Sequence, residues 1–510
     1  MAMKGPHCRK ADPISTAPQA AQSARDLTTG LIPTTMLLFA LPTLASSVLQ
    51  SLNGSINAVW VGRFLGEDAL AATTNGNITM FMLVSFVFGF GMAATIMIGQ
   101  AKGRREPMQV KRVAGTAMGV MIPIGFAIAL TGWVFTPQIL SLLGTPGNAA
   151  DLAETYLRVI FVAMPATLTF TLLMMALRGT GDALTPMYFM GLSALLDVGL
   201  NPVLILGLGP APELGIFGSA LATVFANTVA LIGLVLTLYW RNSALALRGP
   251  ELRFLRPDKA IVKAMVTKGL PMGLQMIVIS TATIAMLGLI NREGVATAAA
   301  FGATQQIWTY VQMPAMALGA AASAMVAQNI GANRWDRVSR ITLWGLGFNI
   351  LLTGTLVALV ILFDRYALIL FLGEESQGLE IGRRIALIAS WGYVFFGIAM
   401  VLFGTMRANG YVIGPLLVMV ISMYPVRLGI AAGLRPWLGA DALWWSFPIG
   451  MMATALMAGA LYLHGGWRKS SALPPSEAEQ RTPHTPDAGG TTPEGRNAAP
   501  ATAWRDHPAE

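Results

Sequence analysis

The sequence predicts an all-α integral membrane protein, with twelve transmembrane helices in two parallel six-helix lobes. Three observations carry that prediction. Of the 510 residues, 54% are hydrophobic and only 12% charged, where a soluble protein carries about 25% charged. Twelve charge-poor windows are long enough to cross a bilayer, which takes about 20 apolar residues. And a set of landmarks recurs at one fixed separation along the chain.

The windows of the first half are Leu27–Gly62, Ala69–Ala101, Val113–Ala150, Val159–Leu177, Ala183–Pro212 and Leu214–Trp240. Those of the second half are Gly269–Asn291, Gly294–Asn333, Ile341–Phe363, Ile385–Met406, Ala408–Val426 and Ala442–Leu463. None reads as a cleaved signal peptide, because the first 26 residues are polar. Lys and Arg stay on the cytoplasmic side. With both termini inside, the cytoplasmic segments hold 26 of the 34 Lys and Arg, chiefly in "KGRREPMQVKR", the stretch 241–268 and "RWDRVSR". The expected location is therefore the inner (cell) membrane, multi-pass, with both termini cytoplasmic.

The landmarks are Pro42 and Pro271, 229 residues apart, Gln100 and Gln328, 228 apart, and Gly144 and Gly373, again 229. "LRGTGDALTP" and "MRANGYVIGP" pair at 229 through Arg178/Arg407, Gly181/Gly410 and Pro186/Pro415. A six-helix unit has been duplicated. Six is even, so both units enter from the same side and are parallel repeats about an axis along the membrane normal. The expected layout is a polar N-terminal tail over 1–30, a first lobe over 31–240 and a basic linker over 241–262. A second lobe over 263–466 and a disordered cytoplasmic tail over 467–510 complete it. The tail is rich in Pro, Ser, Thr and Gly.

Much chemistry is excluded. No phosphate-binding G-x-x-x-x-G-K-[ST] loop, H-E-x-x-H pair, CxxC pair or G-x-S-x-G elbow occurs. The four histidines and the single cysteine, Cys8, lie outside the apolar windows. The expectation is a transporter and not an enzyme, with no cofactor beyond H⁺ or Na⁺ as coupling ion and no protein-bound metal. The basic residues are spread between apolar windows, so the formal charge of +9 does not point to nucleic acid. The expected partners are a small organic substrate and the lipid bilayer, and the chain is expected to be monomeric.

One charged residue, Asp197, interrupts "GLSALLDVGLNPVLILGLG". Burying a carboxylate in a membrane is expensive, so such a residue marks function by default. Asn201 lies four residues on, on the same helical face. Pro202 cannot donate a backbone hydrogen bond and frees the Val198 carbonyl. A carboxylate, an amide and a loosened carbonyl suit a proton or small cation, and desolvation favours the protonated acid.

Further along, "SLNGSINAVWVGRFLGEDALAA", "IGQAKGRRE", "LRGTGDALTP", "LLDVGLNPVLILGLGPAPELGIFGSALAT", "GLPMGLQ" and "AMVAQNIGANRWDR" follow in an order that resembles the multidrug and toxic compound extrusion family. The resemblance spans about Leu31 to Leu463. It implies two six-helix lobes in a V and export of organic cations or amphipathic drugs in exchange for H⁺ or Na⁺. Two departures stand out. The family usually places Asn before Asp on span five, where this chain has Asp197 and then Asn201. It often has an acid on span one, fifteen residues after the proline, where this chain has Asn57. Coupling is therefore expected to fall on Asp197, within one cluster of Asn57, Asp197 and Asn201, with H⁺ favoured over Na⁺.

Asn75, Asn77 and Thr79 on span two, with Gln305, Gln306, Trp308 and Tyr310 on span eight, are candidates for lining a cleft. Pro42, Pro271, Arg178 and Asp182 are expected to be structural or gating. Arg427 is expected at the outer end of span eleven, its side chain snorkelling to the interface. The runner-up function is a flippase for lipid-linked saccharides, which is expected to hold several arginines in a central cavity.

Overall fold

A computed structural model describes residues 25–142, 147–209 and 212–473, without side chains at a number of positions between 67 and 86. Gly144 of the repeat and the outer parts of both tails lie outside the described residues. Among these, ten helices are long and apolar enough to cross a membrane, and a helix pair bent by 44° makes an eleventh. A further long helix continues beyond Gly66 to Gly103.

The first lobe runs α1 (Ile32–Gly66), α2 (67–103), α3 (Pro107–Val134), α4 (Ala150–Thr180), α5 (Leu184–Leu206) and α6 (Gly215–Trp240). The second runs α7 (Lys259–Ile290), α8 (Val295–Gly331), α9 (Trp335–Leu362), the bent α10 (Gly378–Ala389 with Gly392–Ala408), α11 (Ile413–Gly433) and α12 (Asp441–His464). α1 turns into α2 with no loop, at Gly66, whose φ of 85° is left-handed and open to glycine without strain.

Helix ends differ from the charge-bounded windows for one reason. A lone charge ends a charge-free window but does not end a helix. Thus α1 passes through Arg63, and α11 passes through Arg427 to Gly433. The third window overran in the other direction, since α3 stops at Val134 and a short helix, Thr136–Leu142, follows.

The apolar core forms two main clusters, and they are crossed at their edges. Ile32, Met36, Phe39 and Ala40, at the start of α1, belong to the second lobe's cluster. Ile261 and Met265, at the start of α7, belong to the first lobe's cluster. Each helix returns to its own lobe beyond its proline: α1 reaches Asn53 and Asn57 of the first-lobe polar site, and α7 places Met272, Met286 and Ile290 in the second-lobe core. Pro42 and Pro271 therefore sit where each helix changes lobes, and each removes one backbone hydrogen bond there.

The lobes meet at one end in a quasi-symmetric seam. Gln100 Nε2 of α2 donates to Ala408 O at the end of α10 (2.8 Å), and Gln328 Nε2 of α8 donates to Gly179 O at the end of α4 (3.0 Å). The backbone N–H of Leu473 donates to Gln100 Oε1 and that of Leu27 to Gln328 Oε1, both at 3.2 Å. The helices touch backbone to backbone: a Cβ on Gly103 would lie 2.0 Å from Gln328 O, and one on Gly331 would lie 2.1 Å from Gln100 O.

Both ends of the described chain depart from expectation here. Leu27 is fully buried, and Arg334 and Arg337 donate to Thr28 O and Gly30 O. Residues 467–473, assigned from composition to a disordered tail, instead enter the seam. Trp467, Ala472 and Leu473 are buried, and Ala472 lies against Gly410. These apolar residues head an otherwise polar tail, so average composition hid them. The linker is also docked. Its 3₁₀ turn, Gly249–Leu255, lies on α3 beside Gly115 and Gly119, tied by Lys111–Glu251 (2.6 Å) and Arg112–Asp258 (2.5 Å). Asp258 caps α7 through Ala260 N and Ile261 N, so the helix starts at Lys259, inside the stretch expected to be linker.

Candidate functional site

The polar site of the first lobe grows from helical ladders of spacing four. α5 presents Ser193, Asp197 and Asn201, and α6 presents Ser219, Thr223 and Asn227. The two helices run antiparallel, so the rungs face each other in order. Ser193 Oγ donates to Asn227 Oδ1 (2.9 Å), and Thr223 Oγ1 donates to Asp197 Oδ1 (3.0 Å). α1 adds Asn53 and Asn57 across the front.

Asp197 is 2% exposed and has no cationic partner among the described residues. Its Oδ2 accepts from Asn53 Nδ2 at 2.8 Å, and its Oδ1 accepts from Asn201 Nδ2 at 3.1 Å as well as from Thr223. The Asn201 amide also donates to Asp197 O (3.0 Å), which holds it on its own helix just before Pro202. The carboxylate is thus solvated by neutral donors alone. Two buried amide oxygens beside it, Asn53 Oδ1 and Asn201 Oδ1, have no hydrogen-bond partner among the described residues.

Asn57 stands one turn further along α1. It accepts from Ser219 Oγ (3.0 Å) and faces the buried Tyr156 of α4. It joins the cluster through Ser219, while Asn53 makes the direct contact with Asp197. Asn53, Thr223, Ser219 and Tyr156 did not stand out in the sequence. The same spacing of four that linked Asp197 to Asn201 was available, both backwards from Asn57 and along α6.

The second lobe answers with aromatic rings and a guanidinium. Arg427 does not snorkel out of the protein: it is 5% exposed, with its guanidinium carbon 3.6 Å from the Phe447 ring centre. The correction follows from α11 continuing to Gly433, which places Arg427 inside the helix and not at its end. Trp308, expected to line a cleft, is fully buried and donates from Nε1 to Ser390 Oγ at 2.8 Å. It packs against Phe301, Tyr393 and Phe447. The helical face that carries Trp308 turns into the core, whereas Gln305, Gln306 and Tyr310 are half-buried. The side chains of Asn75, Asn77 and Thr79 lie outside the described residues. Asp182 is buried and caps α5, accepting from Leu184 N and Thr185 N and from the Thr185 hydroxyl; Arg178 is half-buried.

The MatE family profile matches residues 42–203 and 271–432, once on each repeat. The chain belongs to the MatE family. Among relatives of this MatE chain, the "Probable multidrug resistance protein YoeA" of Bacillus subtilis (strain 168) is 36% identical over 84% of the chain and 92% of that protein. The "FAD transporter" of Shewanella oneidensis is 26% identical over 72% of the chain and 80% of that protein. Among solved structures, one described as "Outward-facing conformation of a multidrug resistance MATE family transporter of the MOP superfamily" superposes with a TM-score of 0.80. It covers 89% of the chain and all of that structure at 20% identity, which speaks for the fold. The MatE chain is a multi-pass membrane transporter of small molecules, of the multidrug efflux type.

Proposed function

We propose that this chain exports amphipathic organic compounds from the cytoplasm in exchange for protons, by alternating access of its two lobes, with Asp197 as the proton carrier. The observation that carries this reading is the carboxylate itself. It is buried in an apolar lobe, held by Asn53, Asn201 and Thr223, and among the described residues no cation fixes its charge. Such a group gains or loses a proton without breaking an ion pair.

Direction follows from charge. The Gln100–Gln328 seam lies beside the basic segments 102–112 and 334–340, which belong on the cytoplasmic side. On this reading the sealed end is the cytoplasmic one. Rocking the lobes opens the seam, with Pro42 and Pro271 as the compliant points where α1 and α7 change lobes. A second reading, Na⁺ in place of H⁺, rests on Asn53 Oδ1 and Asn201 Oδ1. Two unpartnered amide oxygens beside a carboxylate are the hard oxygen donors a small cation takes. The flippase reading is dropped, since the relatives above carry resistance and FAD transporter names.

The test is vesicle export of a fluorescent lipophilic cation under an imposed pH gradient without Na⁺, for the wild type beside Asp197→Asn. Gradient-driven export abolished by the substitution supports the proposal. Export that needs a Na⁺ gradient favours the second reading, and export intact in Asp197→Asn removes Asp197 from coupling.

A further inference from the structure

The two lobes are repeats, so the position matching Asp197 in the second lobe can be located. Along α5 and α11 the buried residues pair at a separation of 229, as in Pro186/Pro415 and Ser193/Ser422. A π turn then occupies Ser422–Val426. Such a turn inserts one residue into a helix and is frequent at functional sites. Beyond it the buried residues are Arg427 and Ala431, now 230 residues from Asp197 and Asn201. The π turn brings Arg427 onto the position that Asp197 holds in the first lobe.

The neighbours agree. α6 and α12 pair at 228, with buried Ile216/Trp444, Gly218/Ser446 and Ala222/Gly450 in register. That places Phe447, beneath the Arg427 guanidinium, opposite Ser219 of the Asp197 cluster. Where one lobe stations a carboxylate among amides and hydroxyls, the other stations a guanidinium among aromatic rings.

This guanidinium is poorly satisfied. Among the described residues its Nε is buried with no hydrogen-bond partner, and its Nη1 reaches only the Met423 sulfur at 3.7 Å. No ion pair involves it among the described residues. The Phe447 ring covers one face and Gly450 lets the stem pack close, a Cβ there meeting Arg427 Cβ at 3.2 Å. The donor edge is left over. A planar fork of N–H donors matches a carboxylate in bidentate geometry, and a buried charge of this kind is unfavourable until it is paired.

We propose that Arg427 binds the carboxylate of the cargo, at the second-lobe position that Asp197 holds in the first. The inference rests on the export reading and narrows it. The cargo includes zwitterions and acids, and the acid end is recognised in the second lobe, apart from the ion site of the first.

The experiment compares rhodamine B, which carries a free carboxylate, with its ethyl ester, in vesicles holding wild type, Arg427→Gln or Arg427→Lys. The expected result is a ratio of acid to ester export that falls at least tenfold in Arg427→Gln. In Arg427→Lys, which keeps the charge but not the fork, the ratio is intermediate. In parallel, benzoate is titrated into detergent-solubilised wild type while tryptophan emission is followed. A saturable change, absent with chloride at equal ionic strength, is expected. An unchanged ratio, or loss of both probes in parallel with lowered thermal stability, overturns the proposal and leaves Arg427 as a cation–π anchor. So does a wild type that benzoate leaves silent, which needs no variant to fold. Wild type that binds benzoate yet exports neither dye contradicts the export reading while the site stands. Wild type that exports the ester through Asp197 with no Arg427 dependence does the reverse.

Discussion

Replacing both Gln100 and Gln328 with alanine is predicted to unseal the end where the lobes meet. Each glutamine makes two hydrogen bonds across the seam: Gln100 to Ala408 O and from Leu473 N, Gln328 to Gly179 O and from Leu27 N. A buried hydrogen bond is worth about 1 kcal/mol net, so the double variant loses about 4 kcal/mol of preference for the sealed state. That corresponds to roughly a thousandfold shift between sealed and open populations. The shift acts only on the sealed state, because in an open seam the four backbone groups are free to meet water. The assay is a spin-label distance across the seam, between labels at the exposed Arg105 and Arg340. The wild type is expected to give a short, narrow distribution and the double variant a long one, with each single variant in between. A double variant whose distances match the wild type refutes the reasoning, since the glutamines would then be bystanders to contacts made by the glycines.

Three other expectations follow from the same geometry. Gly103→Ala or Gly331→Ala places a Cβ at 2.0 or 2.1 Å from a backbone oxygen that cannot yield. Closure to ordinary contact needs about 1 Å of extra helix separation, so export should fall sharply while the protein still inserts and folds, as checked by flux and size-exclusion behaviour. Thr223→Ala leaves Asp197 Oδ1 with one donor fewer in a buried site and should cost about 1–3 kcal/mol of stability. Thr223→Ser should cost far less, and equal melting of the two variants in detergent would contradict the hydrogen-bond argument. At the linker, burial pushes the Asp258 carboxyl up, but its donors at Ile261 N and Ala260 N and the Arg112 guanidinium outweigh this and hold it below its ordinary value. Glu251 is likewise held low, by Lys111 and the Arg248 N–H. A lowered carboxyl contributes stability above its unfolded value and loses it as pH falls through the folded one. Trypsin cleavage at Arg253 and Arg256 should therefore be slow at neutral pH and speed up, relative to a reference peptide, only below the ordinary carboxylate range.

The architecture was largely legible because its signals are long and redundant. Membrane helices declare themselves by length without charge, and the repeat held its separation through loops as well as helices. Asp197 and Asn201 were legible because a charge in an apolar run is conspicuous and a spacing of four is unambiguous. Asn53 and Thr223 were not, since Asn and Thr are common in membrane helices and only the packing of α1 and α6 onto α5 selects among them. Arg427 was misplaced by treating a charge as a boundary. The one-residue slip of the π turn, which gives that residue its meaning, is visible only when burial on α11 is compared with burial on α5. Trp308 failed for a related reason: without knowing which face of α8 turns inward, a tryptophan beside two glutamines reads as cleft lining. The docked ends escaped because a few apolar residues were averaged into polar tails.

The crossing of the two cores bears on ancestry. In a chain made by doubling one six-helix unit, each copy lends the opening of its first helix to the other's interior: Met36 and Phe39 go one way, Ile261 and Met265 the other. That is the exchange seen in a domain-swapped dimer, here made within one chain. A solitary copy would leave those arms without a bed and its own interior open, so the two units complete each other's cores. Fusion then released the two halves from identity. One could keep a carboxylate at the shared position while the other, by a single extra residue in a helix, acquired a guanidinium.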